Sequence, residues 1–297
     1  MNKNKKLIVK NYQVESKGLS KKYTAITLAD LHLVKSLNKN MLENINKYLK
    51  QIKDNIDFIL MPGDLSSYKY YLDDVNFDYL KRVVDSFSIS ADAPLYASLG
   101  NHDFGIFKDE NEELIKKKFN ELKYNSNIIP LDNRSISYND EIEITGVTPS
   151  SEVYKAKTYD GENGIILCET LKDLKTEEAK YSIALVHDPL SVYHASKTNP
   201  EIIEKYNLIV SGHEHGGYLS EKQMEKNNDG MGYIEYFKNF KPYIKIPCCY
   251  GMYRLTKNTD MIVTEGIKRY NGYVSSFIYT APFITEISIN PKSLIRK

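Results

Sequence analysis

A chain of 297 residues with 41% apolar and 27% charged side chains is long enough to bury a sizeable core. Its 40 Lys and Arg against 39 Asp and Glu leave +1, so no global field draws it to nucleic acid or to an anionic membrane. Of three cysteines, Cys248 and Cys249 are neighbours, whose pairing would be strained, and a disulfide framework is not expected.

Residues 1–22 are polar and Lys-rich, with Leu7-Ile8-Val9 as a possible edge strand. That run is too short for the apolar region of a signal peptide, and no stretch approaches the ~18 apolar residues of a membrane span, so a soluble, reducing, cytoplasmic setting is expected. Thr24–Ala29 is the first clear strand and delivers Asp30 and His32 at its end. Leu42, Ile45, Leu49 and Ile52 recur at helical spacing, with Asn38 or Asn40 as a cap, and predict an amphipathic helix over 40–53. A buried strand, Phe58–Met61, runs into Pro62-Gly63-Asp64. Leu80, Val84 and Phe87 mark a second helix, and the strand Leu95–Leu99 ends at Gly100-Asn101-His102-Asp103. Strand, helix, strand, helix, strand is the signature of parallel crossovers, and in open α/β sheets functional groups gather beyond the carboxyl ends of the strands.

Ile115, Phe119 and Leu122 place a helix in the charged segment 104–123. Between Ile128 and Val147, short alternating strands with turns at Asp132-Asn133 and Asn139-Asp140 predict a second, more antiparallel sheet. Tyr181–Val186 and Leu208–Val210 are buried strands that end in His187 and in His213 with His215. Residues 219–245 read as a loop excursion, with Tyr233, Tyr236, Phe237, Phe240 and Tyr243 as its own packing; Tyr250–Arg254, Met261–Thr264, Ser275–Tyr279 and Phe283–Ile289 read as closing strands. Donor residues run from Asp30 to His215, so any cut would divide them. A single domain over 1–297 is expected, although roughly 150 residues per domain would allow two.

Five of the six histidines (His32, His102, His187, His213 and His215) follow strand ends, which packing alone does not explain. The sixth, His194, reads as a surface residue or one lying behind the donors, with no function of its own. Positions i and i+2 of a strand share a side, so Asp30 with His32, and His213 with His215, are expected to aim two donors at one place. Carboxylate, imidazole and amide donors suit Mn, Fe or Zn, and they are too many for a closed four-ligand structural zinc site. Two divalent ions roughly 3.5–4 Å apart, bridged by a carboxylate, turn a shared water into hydroxide near neutral pH. Asp64 is the candidate bridge. Two such ions outweigh Asp30 and Asp64, so the centre attracts a phosphate oxyanion that the neutral chain as a whole would not.

The ordered set Asp30-x-His32, Gly63-Asp64, Gly100-Asn101-His102-Asp103, His187 and Gly212-His213-x-His215 resembles that of the calcineurin-like metallophosphoesterases over about residues 24–217. The resemblance implies a four-layer α/β/β/α sandwich of two mixed sheets flanked by helices. It implies one metal held by Asp30, His32, Asp64 and His215, and another by Asp64, Asn101, His187 and His213. His102 would then sit near the phosphate as a transition-state or leaving-group residue, with Asp103 orienting its ring. Gly216-Gly217 and the C-terminal strands are most similar to a bacterial phosphodiesterase-like branch. Many of its members carry an N-terminal membrane or export segment; none is read in this chain, which weakens the case for a lipid substrate. Glu214 stands where the family often has Thr or Ser and need not ligate.

The expected function is therefore a metal-dependent phosphoesterase that hydrolyses a small phosphodiester or phosphomonoester by attack of a metal-bridging hydroxide. Diesters are slightly favoured because His102 can assist an alkoxide. The rivals are a non-catalytic scaffold, which the full donor set speaks against, and a nuclease or protein phosphatase. No basic stripe with interleaved aromatics supports nucleic acid. Arg254 reads as an ion-paired surface residue rather than a phosphate contact.

Overall fold

The computed structural model describes residues 7–33, 39–104, 111–125, 127–148, 150–155, 161–174, 179–216, 226, 232–234, 244–267 and 283–292. In chain order the first half forms β1 (Ile8–Ser16), β2 (Tyr23–Thr27), α1 (Lys39–Ile52), β3 (Phe58–Pro62), α2 (Tyr68–Leu72), α3 (Asp74–Ala91), β4 (Leu95–Ser98), α4 (Asn101–Phe104), α5 (Glu112–Glu121) and β5 (Ile128–Pro130). The second half forms β6 (Arg134–Ser137), β7 (Ile142–Val147), α6 (Ser151–Lys155), α7 (Glu162–Asp173), β8 (Tyr181–Val186), α8 (Pro189–Thr198), α9 (Pro200–Ile203) and β9 (Leu208–Ser211). It closes with β10 (Gly232–Ile234), β11 (Ile244–Ile246), β12 (Gly251–Arg254), β13 (Asp260–Val263) and β14 (Phe283–Pro291). Two six-stranded mixed sheets result, ordered β1-β14-β2-β3-β4-β5 and β12-β13-β9-β8-β7-β6, with β10 and β11 paired separately.

Side-chain alternation on the central strands sets the layers. Phe58 and Leu60 of β3 point one way, into a cluster shared with Ile183, Leu185, Leu208 and Val210 of the other sheet. Ile59 and Met61 point the other way, against Ile45 and Leu49 of α1 and Leu80, Val84 and Phe87 of α3. In the second sheet, Ala184, Val186 and Ile209 meet Leu167 and Leu171 of α7 and Val192 and Ala195 of α8. Strands buried on both faces must read as continuous apolar runs, as these do. Three apolar layers therefore hold four layers of secondary structure, the α/β/β/α sandwich expected from the sequence.

Two sequence expectations change. The second sheet is largely parallel: β7, β8, β9 and β13 run parallel, and only its edge pairs β6–β7 and β12–β13 are antiparallel. The cause lies in α7, α8 and α9, which periodicity left unassigned and which supply the crossovers that parallel neighbours require. β5 joins the first sheet, parallel to β4. The short edge strand at Leu7-Ile8-Val9 is in fact nine residues long and pairs in parallel with β14. Most of the 219–245 excursion and the strand expected at Ser275–Tyr279 lie outside the described residues. Arg254 forms the expected ion pair, with Nε 2.8 Å from Asp260. Among the described residues no helix is long and apolar enough to cross a membrane.

Glu141 ties the segment before β2 to the second sheet. Its carboxylate accepts from Lys180 Nζ at 2.9 Å, Ser20 Oγ at 2.9 Å and the Tyr23 hydroxyl at 2.9 Å. The Lys180 ammonium first, then these donors, lower its acid group from 4.5 to about 2. A carboxyl depressed on folding adds stability that is complete above pH 4.5 and is lost as pH falls through about 2. Glu141→Gln should therefore melt below the parent at neutral pH, and thermal scans of the two should converge as the pH is lowered from 4.5 towards 2.

Candidate metal centre

The candidate residues occupy the carboxyl ends of β2, β3 and β4 in one sheet and of β8 and β9 in the other. There the sheets are stitched together. The Asp30 carboxylate accepts the His213 backbone N–H at 3.0 Å, His187 Nδ1 donates to the Pro62 carbonyl at 2.8 Å, and Ile267 N–H donates to the Ala29 carbonyl at 2.8 Å. Past β2 and β3 the ladder continues through Leu28 N to Leu60 O and His32 N to Asp64 O, both 2.9 Å. These bonds fix five loops against one another.

Strand alternation does not aim the donors. Asp30, His32, Asp64, His213 and His215 all have positive φ, between 42° and 74°, and they are five of the eight non-glycine residues so placed among those described. That conformation is uncommon outside Gly, Asn, Asp and His, and it clusters at functional sites. One consequence corrects the expectation from strand alternation, while agreeing with the grouping that the resemblance implies: His213 and His215 do not converge. His215 Nε2 lies 3.2 Å from His32 Nε2 in a group with Asp30, whereas His213 groups with Asp64 and His187. Space is made by glycine. A Cβ on Gly63 would lie 2.5 Å from His187 Nδ1, and one on Gly100 would overlap Asp64 Oδ1.

Asp64 joins the two groups. Its Oδ1 accepts the His102 backbone N–H at 2.8 Å. Its Oδ2 is buried, has no hydrogen-bond partner among the described residues, and lies 3.2 Å from His187 Nε2 and 3.5 Å from His32 Nε2. The Asn101 amide oxygen is 3.0 Å from both His187 Nε2 and His213 Nδ1. Because a carbonyl only accepts, the Pro62 contact makes His187 Nδ1 the donor, and a neutral ring then turns its Nε2 lone pair towards two oxygens. Such converging lone pairs need a cation among them. The donor set therefore fits divalent metal ions, in two groups that Asp64 links through His32 and His187.

Without an ion, the same demand for positive charge falls on the side chains, and His187 meets it by holding a second proton. Burial works to raise Asp64, but the His187 and His32 imidazoles overcome it and hold its carboxyl well below the usual range. Burial also works against charge on His187, yet Asp64 and Asp30 push it up to about 10. His213, desolvated beside His187, falls to about 4, and burial raises Asp30 to about 7. Fully buried carboxylates persist only with positive charge close by.

His102 is partly exposed and its ring stands edge-on to His32, centroids 4.7 Å apart, with Asp64 in the same group. Asp103 departs from expectation. Its carboxylate accepts from Leu65 N at 3.3 Å, Ser66 N at 2.9 Å, Gly100 N at 2.9 Å and the Tyr71 hydroxyl at 3.0 Å. With both oxygens so engaged it braces the Asp64 loop against the Gly100 loop and does not steer the His102 ring.

Sequence reasoning missed two neighbours, Asp188 and Tyr154, and gave Glu214 no part. Asp188 caps α8 through Leu190 N and Ser191 N, and groups with His213 and Glu214. Burial, then Asp188 and Asp30, raise Glu214 to about 8. The Asp188-Pro189 pair after His187 was a legible helix-start signal. Tyr154 lies against His187 and His213 with no sequence signal to announce it. His194, expected at the surface, pairs through Nδ1 with Asn163 Oδ1 at 2.8 Å.

Two facing sheets thus gather imidazole, carboxylate and amide donors at their strand ends. The calcineurin-like phosphoesterase family model matches residues 24–217, and the chain belongs to that family. It is 27% identical over 217 residues to an uncharacterised metallophosphoesterase of Campylobacter jejuni, covering 71% of this chain but only 49% of that protein. It is 24% identical over 220 residues to one of Aquifex aeolicus, covering 72% and 71%. The chain thus spans about half the length of the first relative and most of the second. Among solved structures, a dimetal phosphatase from Danio rerio superposes with a TM-score of 0.43 at 9% identity, covering 82% of this chain and 87% of that one.

Two substitutions test the scaffold of the centre. Gly100→Ala removes no donor, yet its methyl displaces Asp64, so metal content measured after reconstitution should fall, with about 1–3 kcal/mol lost from stability. Asp103→Ala leaves four buried donors without an acceptor and should cost at least ~3 kcal/mol in chemical denaturation.

Proposed function

We propose that this chain is a metal-dependent phosphoesterase that hydrolyses a small phosphorylated substrate at a dinuclear centre. Asp30, His32, Asp64 and His215 hold one ion, and Asp64, Asn101, His187 and His213 hold the other. The observation that carries this reading is the buried Asp64 Oδ2, which faces His187 Nε2 at 3.2 Å and His32 Nε2 at 3.5 Å and so belongs to both groups. Mn, Fe and Zn all suit these donors. Because both sheets supply ligands, the chain works as a single domain.

Bound divalent ions supply Lewis acidity towards phosphoryl oxygens and bring a water's pKa down near neutrality. The protein does the rest. His187 keeps one tautomer because Nδ1–H is committed to the Pro62 carbonyl. The Asp30 carboxylate is held by the His213 backbone N–H. His102 and His213 are the partly exposed members of the set, so substrate arrives on their side. There His102 donates a proton to the leaving oxygen as its bond to phosphorus breaks. An alkoxide needs that proton more than a good leaving group does, which favours diesters over monoesters.

Protein reconstituted with Mn, Fe or Zn should bind two ions per chain and hydrolyse aryl phosphodiesters or monoesters; an inert protein carrying both ions would count strongly against the proposal. Asp64→Asn should weaken both metal sites together. His102→Ala should keep its metal and slow turnover by roughly 10²–10⁴-fold. Equal metal loss in the two variants would show these roles to be wrong.

A further inference from the structure

Tyr154, on the short helix α6, reaches the centre from outside every ligand-bearing loop. Its ring centroid is 5.9 Å from that of His213, at 51° between planes, and 6.3 Å from that of His187, at 61°. α6 packs on α4, the helix that carries Asn101 and His102, so the tyrosine is set against the metal-binding side of the cleft. The ring alone would serve as a wall, and phenylalanine would do that as well. The hydroxyl is what a wall does not need. Its oxygen is buried and has no hydrogen-bond partner among the described residues.

A buried hydroxyl left unpaired is costly, so its position asks for an acceptor that arrives with a ligand. The site's carboxylates lie near enough to act on the phenol electrostatically, Asp188 and Asp64 foremost, yet the hydroxyl is hydrogen-bonded to none of them. A phenol is ordinarily protonated at neutral pH and so offers an O–H donor. An acceptor that would sit beside His187 and His213, in a centre made positive by two ions, is an anionic oxygen. We propose that the Tyr154 hydroxyl donates a hydrogen bond to a non-bridging phosphoryl oxygen of the substrate, on the His187 and His213 side of the centre. This rests on the phosphoesterase reading above and adds a substrate-binding residue to it.

The test compares the Mn-reconstituted parent with Tyr154→Phe, which keeps the ring and removes one oxygen. Metal content, melting temperature with and without inorganic phosphate, and phosphate affinity by calorimetry are read in parallel. The variant should keep both ions, melt no lower than the parent without phosphate, and bind phosphate roughly tenfold or more weakly, the loss expected for a hydrogen bond to a charged group. Its thermal stabilisation by phosphate should shrink accordingly. Unchanged phosphate affinity would overturn the proposal. So would loss of metal, which would make the hydroxyl a ligand support, or a lower phosphate-free melting temperature with phosphate affinity retained, which would make it structural. A metal-loaded parent that binds no phosphate would overturn both this contact and the phosphoesterase reading. A parent that binds phosphate but hydrolyses nothing would sink only the latter, with the comparison still deciding the role of Tyr154.

Discussion

Asp64 carries a negative charge at a fully buried position where two sheets meet, and the arrangement of this end of the molecule follows from compensating it. One oxygen is satisfied by the His102 backbone; the other faces His187 and His32. Removing a carboxylate from water costs several kcal/mol even after relaxation, so it survives only where cations or strong donors surround it. Asp30 doubles the demand from the neighbouring loop. Four imidazoles, one amide and the two carboxylates are thus gathered into one buried cluster with Asp64 at its middle. The acidity of the groups expresses the same constraint, with Asp64 driven down and His187 driven up against its burial.

Holding such a centre requires backbone that does not relax. Donor residues sit in left-handed conformations that cost of order 1–3 kcal/mol each elsewhere in proteins, and they are kept there by what surrounds them. The parallel ladder of β2 and β3 extends beyond the strands into their loops, and Asp103 braces the next loop through three backbone N–H groups and Tyr71. Beneath lie three apolar layers in which Phe58, Leu60, Ile183 and Leu185 lock sheet to sheet while Ile59 and Met61 lock sheet to helix. Gly63 and Gly100 matter for a different reason, since a side chain at either would occupy the space of His187 or Asp64.

The first three strands and the two crossovers between them were legible because each apolar run is local and ends in its own turn and donor residues: Thr24–Ala29 before Asp30, Phe58–Met61 before Asp64, Leu95–Leu99 before Asn101. Residues 162–198 were harder. α7 and α8 bury broad faces against both a sheet and each other, so their apolar periodicity is blurred, and without them the second sheet read as more antiparallel than it is. The role assigned to Asp103 failed for a related reason. Sequence adjacency to His102 implied a partnership, whereas α4 turns the carboxylate towards the amides of Leu65 and Ser66, more than 30 residues away in the chain.

From the sequence by itself came the class of fold, the identity of the donors and the strand ends that deliver them, because a run of apolar residues followed by Asp, Asn or His is a short-range pattern with a short-range cause. Tertiary structure alone decided how the loop backbone aims each donor, that Asp103 is a brace, and that Tyr154 arrives beside His187 and His213. Those outcomes depend on positive φ angles at individual loop residues and on how two sheets stack across an apolar layer, and neither is written in the spacing of residues along the chain.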